Sequence, residues 1–244
     1  MKRRRLLQSS AAVIGALSPA PVTEGTAHAA GVGSADSEGG DALRVHIVTV
    51  DGVEELDVFG PFEVLSPAAR AYPVTVKRVT GGEAAEVTYS FDTKVAAPAW
   101  SPHDADVIVV PGGGFGRRNG PGVRAEIDKG DLPSALRTAH DAGVTVLGVC
   151  TGVILLSAAG PTAGRTGTTH HLARSYLVEQ GARVVDQRVV DDGDLITAGG
   201  VSSGIDGAPW LLEREWGSAA ATHAESIAEF ERRGTVLRTA TASS

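Results

Sequence analysis

The chain has 244 residues, 42% of them hydrophobic and 21% charged, which is typical of a globular protein with one large domain or two small ones. Its formal net charge of -7 excludes nucleic acid as an expected partner, because a protein needs positive charge to neutralise phosphates. The single cysteine of the sequence excludes an internal disulfide.

The N-terminal segment predicts an export signal over residues 1–29. Residues 2–5 (KRRR) form a positive region, residues 11–17 a short apolar run, and residues 27–29 (AHA) a cleavage site of small residues. The paired arginines are typical of the twin-arginine route. Because the apolar run is too short to cross a bilayer, we expect an exported protein without stable membrane insertion, preceded by a flexible lead-in over residues 30–41. A basic, disordered tail is the alternative.

The rest of the sequence alternates between strand and helix patterns, which predicts a doubly wound α/β domain with a mostly parallel sheet. Gly-rich residues 116–130 are predicted to be a loop, and residues 234–244 a polar, frayed tail after one domain over residues 42–233. The predicted strands are 43–50, 74–79, 87–96 (a strand or hairpin arm), 106–110, 144–149, 183–190 and 195–198, and the predicted helices are 54–65, 132–142, 151–159, 170–180, 203–215 and 219–233.

The cysteine lies where a buried strand meets a helix. Gly148 and Gly152 flank Cys150 at two residues on each side, which is the spacing of a nucleophile elbow with sulfur in place of a hydroxyl. A thiol at a helix N-terminus is favoured as thiolate, with a pKa about 1 to 5 below the free value of about 8.5. The pattern therefore indicates a nucleophile, and the alternative is a small buried hydrophobic side chain.

Asp57 is the candidate acid of this site. It follows the first strand on an apolar stretch, where the alternative is a charge at a helix N-terminus. If Asp57 faces the thiol, one of the two groups should keep its proton, because two anions a few ångström apart repel each other. A protonated Asp57 that donates to a Cys150 thiolate satisfies both groups and supplies a proton.

Backbone amides are the candidate oxyanion donors. Gly113 and Gly114 follow a buried strand, and their amides are expected to point at developing negative charge unless the glycines only form a turn. The amide of Thr151, the residue after the nucleophile, is the second donor in elbow geometry.

Four segments together resemble the ThiJ/PfpI family, and within it the isonitrile hydratase-like branch. They are residues 56–65 (LDVFGPFEVL), 109–113 (VVPGG), 148–152 (GVCTG) and 197–206 (TAGGVSSGID). The match runs from about residue 43 to 216, which is nearly all of the chain after the predicted signal.

The resemblance implies a flavodoxin-like three-layer sandwich, commonly a homodimer, that needs no cofactor. It assigns Cys150 as the nucleophile, Asp57 as the acid from the first helix and Thr151 as a member of the catalytic set. The acid is Asp in the isonitrile hydratase branch and Glu in the deglycase and protease branches. The implied reaction is attack on a small electrophilic carbon, in its concrete form the hydration of an isonitrile to an N-substituted formamide.

Two other functions remain open at this point. His170, ahead of a predicted helix, would favour a glyoxalase, deglycase or amidase if it pairs with Cys150; otherwise it packs at the start of that helix. The other is a non-catalytic ligand binder or redox sensor whose cysteine oxidises. A DNA-binding regulator is excluded because too little sequence follows residue 216. No metal site is expected, because His170 and His171 are adjacent rather than four residues apart.

Overall fold

A computed structural model describes residues 42–239 of the chain, and the predicted signal peptide (1–29) and the predicted lead-in (30–41) lie outside them. Eleven strands occur in these residues. They are β1 (Leu43–Thr49), β2 (Val74–Thr80), β3 (Ala85–Thr88), β4 (Lys94–Ala97), β5 (Val107–Val110), β6 (Thr145–Val149), β7 (Thr166–Gly167), β8 (Arg183–Val184), β9 (Val189–Asp191), β10 (Leu195–Ala198) and β11 (Leu237–Arg238).

Seven α-helices connect these strands within the described residues. They are α1 (Glu55–Ala68), α2 (Val123–Lys129), α3 (Asp131–Asp141), α4 (Gly152–Ala159), α5 (Arg174–Glu179), α6 (Gly204–Trp216) and α7 (Ser218–Ala228), with single turns of 3-10 helix at His171–Ala173 and Val201–Ser203. In the range that the structure covers, no helix has the length and apolar character required to cross a membrane.

The central sheet has seven strands in the order β11-β9-β10-β6-β5-β1-β2. All neighbouring pairs are parallel except β9 and β10. The predicted mostly parallel sheet is therefore confirmed. Because β1, β5, β6 and β10 run in the same direction, the segments that follow them meet at one edge of the sheet, where open α/β sheets bind their ligands.

Two apolar layers cover the sheet, one on each face. Helices α1, α6 and α7 pack on one face with Val45, Ile47 and Val109, and helices α2 to α5 pack on the other with Val48 and Ile108. Successive strand residues thus enter opposite layers, as the pleat of a strand requires. This arrangement confirms the flavodoxin-like three-layer sandwich.

Several element predictions need correction. Residues 116–130 are not a continuous loop, because α2 begins directly after Gly122, whose φ is 120°. The strand predicted over 183–190 is two strands, β8 and β9, which belong to different sheets. Residues 85–97 form an antiparallel hairpin of β3 and β4. The last predicted helix ends at residue 228 instead of 233, because Glu229 adopts a left-handed φ of 47°.

Residues 235–239 differ from the predicted frayed tail, and the rest of that tail, residues 240–244, lies outside the described residues. Leu237 and Arg238 form β11, which pairs in parallel with β9 and extends the central sheet by one strand. The Arg238 guanidinium also lies 5.7 Å from the centre of the Trp210 ring. Backbone pairing with a sheet edge depends on the tertiary structure, so the polar composition of the segment alone did not reveal it.

Candidate active site

Cys150 lies at the sharp turn between β6 and α4, with a left-handed φ of 56°. A residue other than glycine in this conformation stores about 1 to 3 kcal/mol of strain, and the fold holds it there by hydrogen bonds. The Cys150 amide donates to the carbonyls of Ala198 (3.1 Å) and Gly199 (2.8 Å), and its carbonyl accepts from Thr169 Oγ1 at 2.7 Å. The backbone therefore has the strained geometry of a nucleophile elbow, as the glycine spacing predicted.

The two flanking glycines are required because the strand and the helix approach each other closely. A Cβ atom at Gly148 would lie 2.7 Å from Cγ2 of Val153, and one at Gly152 would overlap the Val110 carbonyl oxygen. Any side chain at these positions would push the helix away from the strand. Their steric role follows directly from these contacts.

The glycine loop after β5 donates its first two amide hydrogens to the side chains of Asp57 and Thr151, so these amides are not available to a substrate. Gly112 N–H donates to Asp57 Oδ2 at 2.9 Å, and Gly113 N–H donates to Thr151 Oγ1 at 2.9 Å. The prediction that the Gly113 amide serves as an oxyanion donor is therefore wrong, because Thr151 already accepts its hydrogen. Gly114, with a φ of 68°, lines the cavity beside the cysteine, and its role as a donor stays a prediction.

The backbone donors that reach the sulfur come from two other segments. The N–H groups of Thr151 and Val201 hydrogen-bond to the Cys150 thiol, and both lower its pKa. The Thr151 amide thus lies where elbow geometry predicted it. Val201, in the 3-10 turn after β10, was not predicted; it belongs to the same quoted segment of residues 197–206, which contained no signal that distinguished it.

Asp57 lies in the first turn of α1 and is fully buried. Burial raises its pKa from 3.8 to about 7, and the charge of Glu54 adds to this effect, while hydrogen bonds from Gly112 and Cys150 oppose it. The second carboxyl oxygen, Oδ1, is buried and has no hydrogen-bond partner within residues 42–239. Asp57 therefore exchanges a proton near neutral pH.

Burial also changes the expected state of the thiol. Cys150 is only 5% exposed, and desolvation followed by the charge of Asp57 raises its pKa to about 12. The expected lowered thiol pKa is wrong, because burial and the charge of Asp57 outweigh the backbone hydrogen bonds from Val201 and Thr151. The thiol therefore keeps its proton at neutral pH, whereas Asp57, with a pKa of about 7, is only partly protonated there.

His170 lines the same cavity but is not bonded to the cysteine. Its Nδ1 accepts a hydrogen bond from Leu172 N–H at 3.3 Å, and its ring centre lies 4.3 Å from that of His171. Burial and then the neighbouring cations lower the pKa of His170, so the ring is neutral at pH 7, with its proton on Nε2. No hydrogen bond between His170 and Cys150 occurs among the described residues, so the structure does not show a Cys–His pair.

A cavity of about 390 Å³ opens at the elbow. Besides the predicted residues Gly113, Gly114, Cys150, Thr151 and His170, its lining includes side chains that sequence analysis missed, namely Glu54, Phe115, Arg118, Arg124, Leu172 and Val201. Arg118 and Arg124 belong to residues 116–130, which were predicted to be a loop, and Phe115 directly precedes that segment. In the part of the chain that the structure describes, no group of three or more His, Cys, Asp or Glu side chains is placed to hold a metal ion.

The fold and the site together define a class: an α/β protein with a cysteine on a strand-to-helix elbow, next to a buried acid at the carboxyl edge of a parallel sheet. Residues 43–213 match the model of the DJ-1/PfpI family. The chain belongs to that family.

Several known proteins are similar to this chain. It is 32% identical over 175 residues to isonitrile hydratase from Pseudomonas putida, an alignment that covers 70% of this chain and 72% of that protein. It is 31% identical to protein dj-1beta from Drosophila melanogaster, over 63% of this chain and 79% of the relative. With Deglycase TK1284 from Thermococcus kodakarensis it shares 25% identity, over 64% and 89% of the two chains. The family therefore contains enzymes.

Solved structures confirm the fold. The crystal structure of a ThiJ/PfpI family protein from Pseudomonas syringae aligns with a TM-score of 0.70 at 23% identity, covering 80% of this chain and 77% of the other. The crystal structure of Drosophila melanogaster DJ-1beta aligns with a TM-score of 0.66 at 24% identity, covering 78% and 99%.

Proposed function

We propose that the protein is a cofactor-free enzyme that uses Cys150 to hydrate an isonitrile to an N-substituted formamide. The observation that carries the proposal is the coupled pair of Cys150 and Asp57 beside the cavity. Burial raises the pKa of Asp57 to about 7, so this carboxyl group can both give and take a proton at neutral pH. The acid is Asp, as in the branch that the sequence resembles, and an isonitrile hydratase is 32% identical to this chain.

The proposed reaction begins with a proton shift inside the pair. In the singly protonated pair the proton moves from the Cys150 sulfur to Asp57, which leaves a thiolate that the amides of Thr151 and Val201 stabilise. The sulfur then attacks the terminal carbon of R–N≡C and forms the C–S bond. Asp57 protonates that carbon, which gives a thioformimidate, S–CH=N–R.

Hydrolysis of the thioformimidate completes the cycle. Water adds to the imidate carbon, one of its protons passes to nitrogen, and the C–S bond breaks. The products are R–NH–CHO and a sulfur anion. The second water proton passes to Asp57, so that the pair of Cys150 and Asp57 is again singly protonated. Atoms and charge therefore balance. Neutral His170, with its proton on Nε2, lines the cavity where this water must enter.

Turnover of cyclohexyl isocyanide tests this function. The purified protein should convert it to N-cyclohexylformamide, and the Cys150→Ser variant should not, because a serine hydroxyl is far less acidic than a thiol. Gas chromatography of the formamide measures the product. Absence of formamide from wild-type protein whose mass shows an unmodified Cys150 would contradict the proposal.

The second candidate is a glyoxalase, deglycase or amidase. It is favoured by the presence of His170 in the same cavity as Cys150 and by the deglycase relative. Consumption of methylglyoxal by the wild type, with loss in a His170→Ala variant and no turnover of isonitrile, would select this candidate. A redox sensor is the third: it predicts addition of oxygen to Cys150 under mild peroxide, seen by mass spectrometry, with no turnover of either substrate.

Export and dimerisation are further parts of the proposal. Residues 2–5 and 27–29 support cleavage of a twin-arginine signal, and N-terminal sequencing of protein recovered outside the cytoplasm tests it. The resemblance supports a homodimer, and sedimentation equilibrium of the mature protein measures its mass. A small electrophilic molecule is the expected partner.

A further inference from the structure

Arg124 contributes a cation to the wall of the cavity that contains Cys150. It lies near the start of α2, the helix that the sequence did not reveal. The reaction proposed above makes no use of it. An arginine in a reactive cavity is informative when its position is fixed and its charge is not already neutralised.

The Arg124 side chain is fixed by Phe115. Its Nε donates to the Phe115 carbonyl at 3.2 Å, and its guanidinium carbon lies 4.7 Å from the centre of the Phe115 ring. The Phe115 ring is itself held edge-on against Tyr176, at 5.2 Å between centres. These contacts orient the guanidinium plane and use one of its five N–H groups, so the terminal nitrogens remain as donors for a planar anion.

No carboxylate within residues 42–239 forms an ion pair with Arg124. Among the described residues that line the cavity, Glu54 is an acid. Burial and then the charge of Glu55 raise its pKa, and the cation that opposes this shift is Arg117 rather than Arg124. Arg118 also lines the cavity and is exposed. The side of the cavity formed by α2 and the preceding loop therefore presents positive charge to whatever binds there.

We propose that Arg124 binds a carboxylate group of the substrate, so that the enzyme acts on small electrophiles that carry an acid. The reaction part of this statement rests on the proposed function, whereas the binding part does not. A sphere of the volume of this cavity is about 9 Å across, which suits a short acid whose reactive carbon lies a few atoms from its carboxylate. Arg124 orients such a molecule with its electrophilic carbon toward the sulfur.

Alkylation of the lone cysteine tests the binding part without any need for turnover. Iodoacetate and iodoacetamide have nearly the same shape and differ in charge. Both react with the thiolate form of Cys150, so the ratio of their alkylation rates does not depend on the pKa of the thiol. In the folded wild type this ratio should exceed that of the urea-unfolded chain by about tenfold or more, the usual effect of a charge-assisted hydrogen bond. Intact-mass spectrometry measures both rates on the single cysteine.

Variants assign the effect to Arg124. The Arg124→Gln variant should lose most of the preference for iodoacetate, and Arg124→Lys should restore part of it, because it keeps the charge but not the planar fork. The exposed Arg70, in the turn after α1 and distant in sequence from Arg124, provides the control. Arg70→Gln should keep the wild-type ratio of alkylation rates. An unchanged ratio in a folded Arg124→Gln variant, or no preference in the wild type, would overturn the proposal.

Substrates extend the test to the reaction. Isocyanoacetate should be hydrated with a higher kcat/KM than its methyl ester, and Arg124→Gln should reduce this preference by about tenfold. Turnover of both with equal efficiency would contradict the carboxylate anchor and leave the hydratase proposal standing. Turnover of neither, together with the expected alkylation ratios, would contradict the hydratase proposal and leave the anchor standing.

Discussion

Replacement of Asp57 by Asn should make folding stability less dependent on pH. The folded chain raises the pKa of Asp57 from 3.8 to about 7, so it holds this proton more tightly than the unfolded chain does. Between about pH 4 and pH 7 the unfolded chain is ionised at Asp57 while the folded chain is not, and stability falls as pH rises through this window. The pKa difference of about 3 corresponds to about 4 kcal/mol.

Urea unfolding of the wild type and of Asp57→Asn at half-unit steps from pH 4 to pH 8 measures the contribution of Asp57 to the free energy of unfolding. The stability of Asp57→Asn relative to the wild type should rise by up to about 1.4 kcal/mol per pH unit and level off above pH 7. Up to pH 8 the thiol of the unfolded chain stays mostly protonated, because its free pKa is about 8.5. A difference between the two proteins that stays constant across this range would refute the assignment of a buried, proton-holding Asp57.

Three further predictions concern residues next to the cysteine and its pairing with Asp57. Thr151→Val removes the acceptor of the Gly113 N–H and should lower the free energy of unfolding in urea by about 1 to 3 kcal/mol and abolish most of the activity. Thr151→Ser keeps the hydroxyl acceptor and should retain the stability and the activity. Equal behaviour of the two variants would contradict the hydrogen bond. Gly152→Ala should prevent folding, because its Cβ overlaps the Val110 carbonyl oxygen. The control Gly82→Ala, with nothing within 4 Å of its Cβ, should show a normal folded circular dichroism spectrum. A folded Gly152→Ala protein would contradict the close approach of the helix α4 start to the carbonyl of Val110. The kcat/KM for isonitrile should rise with pH through an apparent pKa of about 7, because the doubly protonated pair has no nucleophile; the same inflection in Asp57→Asn would show that it belongs to another group.

Local patterns were sufficient to predict the elbow and most of the sheet. Buried parallel strands are continuous apolar runs, and β5 and β6 have this pattern. The positive φ of Cys150 follows from two glycines whose spacing is visible in the sequence. These features depend on neighbours within a few residues, and for that reason the sequence alone was enough.

The features that sequence analysis missed depend on tertiary contacts or on very short elements. Helix α2 has seven residues, fewer than two full turns, so it shows no usable apolar period, and with it the position of Arg124 was lost. The amides of the glycine loop were assigned to the substrate because nothing in the sequence shows that Asp57 and Thr151 accept their hydrogens. The predicted direction of the thiol pKa shift was wrong because burial, which sequence does not measure, outweighs the backbone hydrogen bonds that reach the sulfur.

The division of backbone donors explains how the site can hold an acid and a thiol together. If the amides of Gly112 and Gly113 faced the substrate, Asp57 would have no fixed donor and its carboxyl group could rotate away from the sulfur. Because the loop after β5 orients Asp57 and Thr151 instead, stabilisation of the sulfur anion must come from the segments after β6 and β10, through Thr151 and Val201. In the proposed mechanism, the loop before α2 and Arg124 then contact the substrate, while Asp57 and Cys150 transfer the proton. Proton transfer and substrate recognition therefore depend on different segments, which can vary independently.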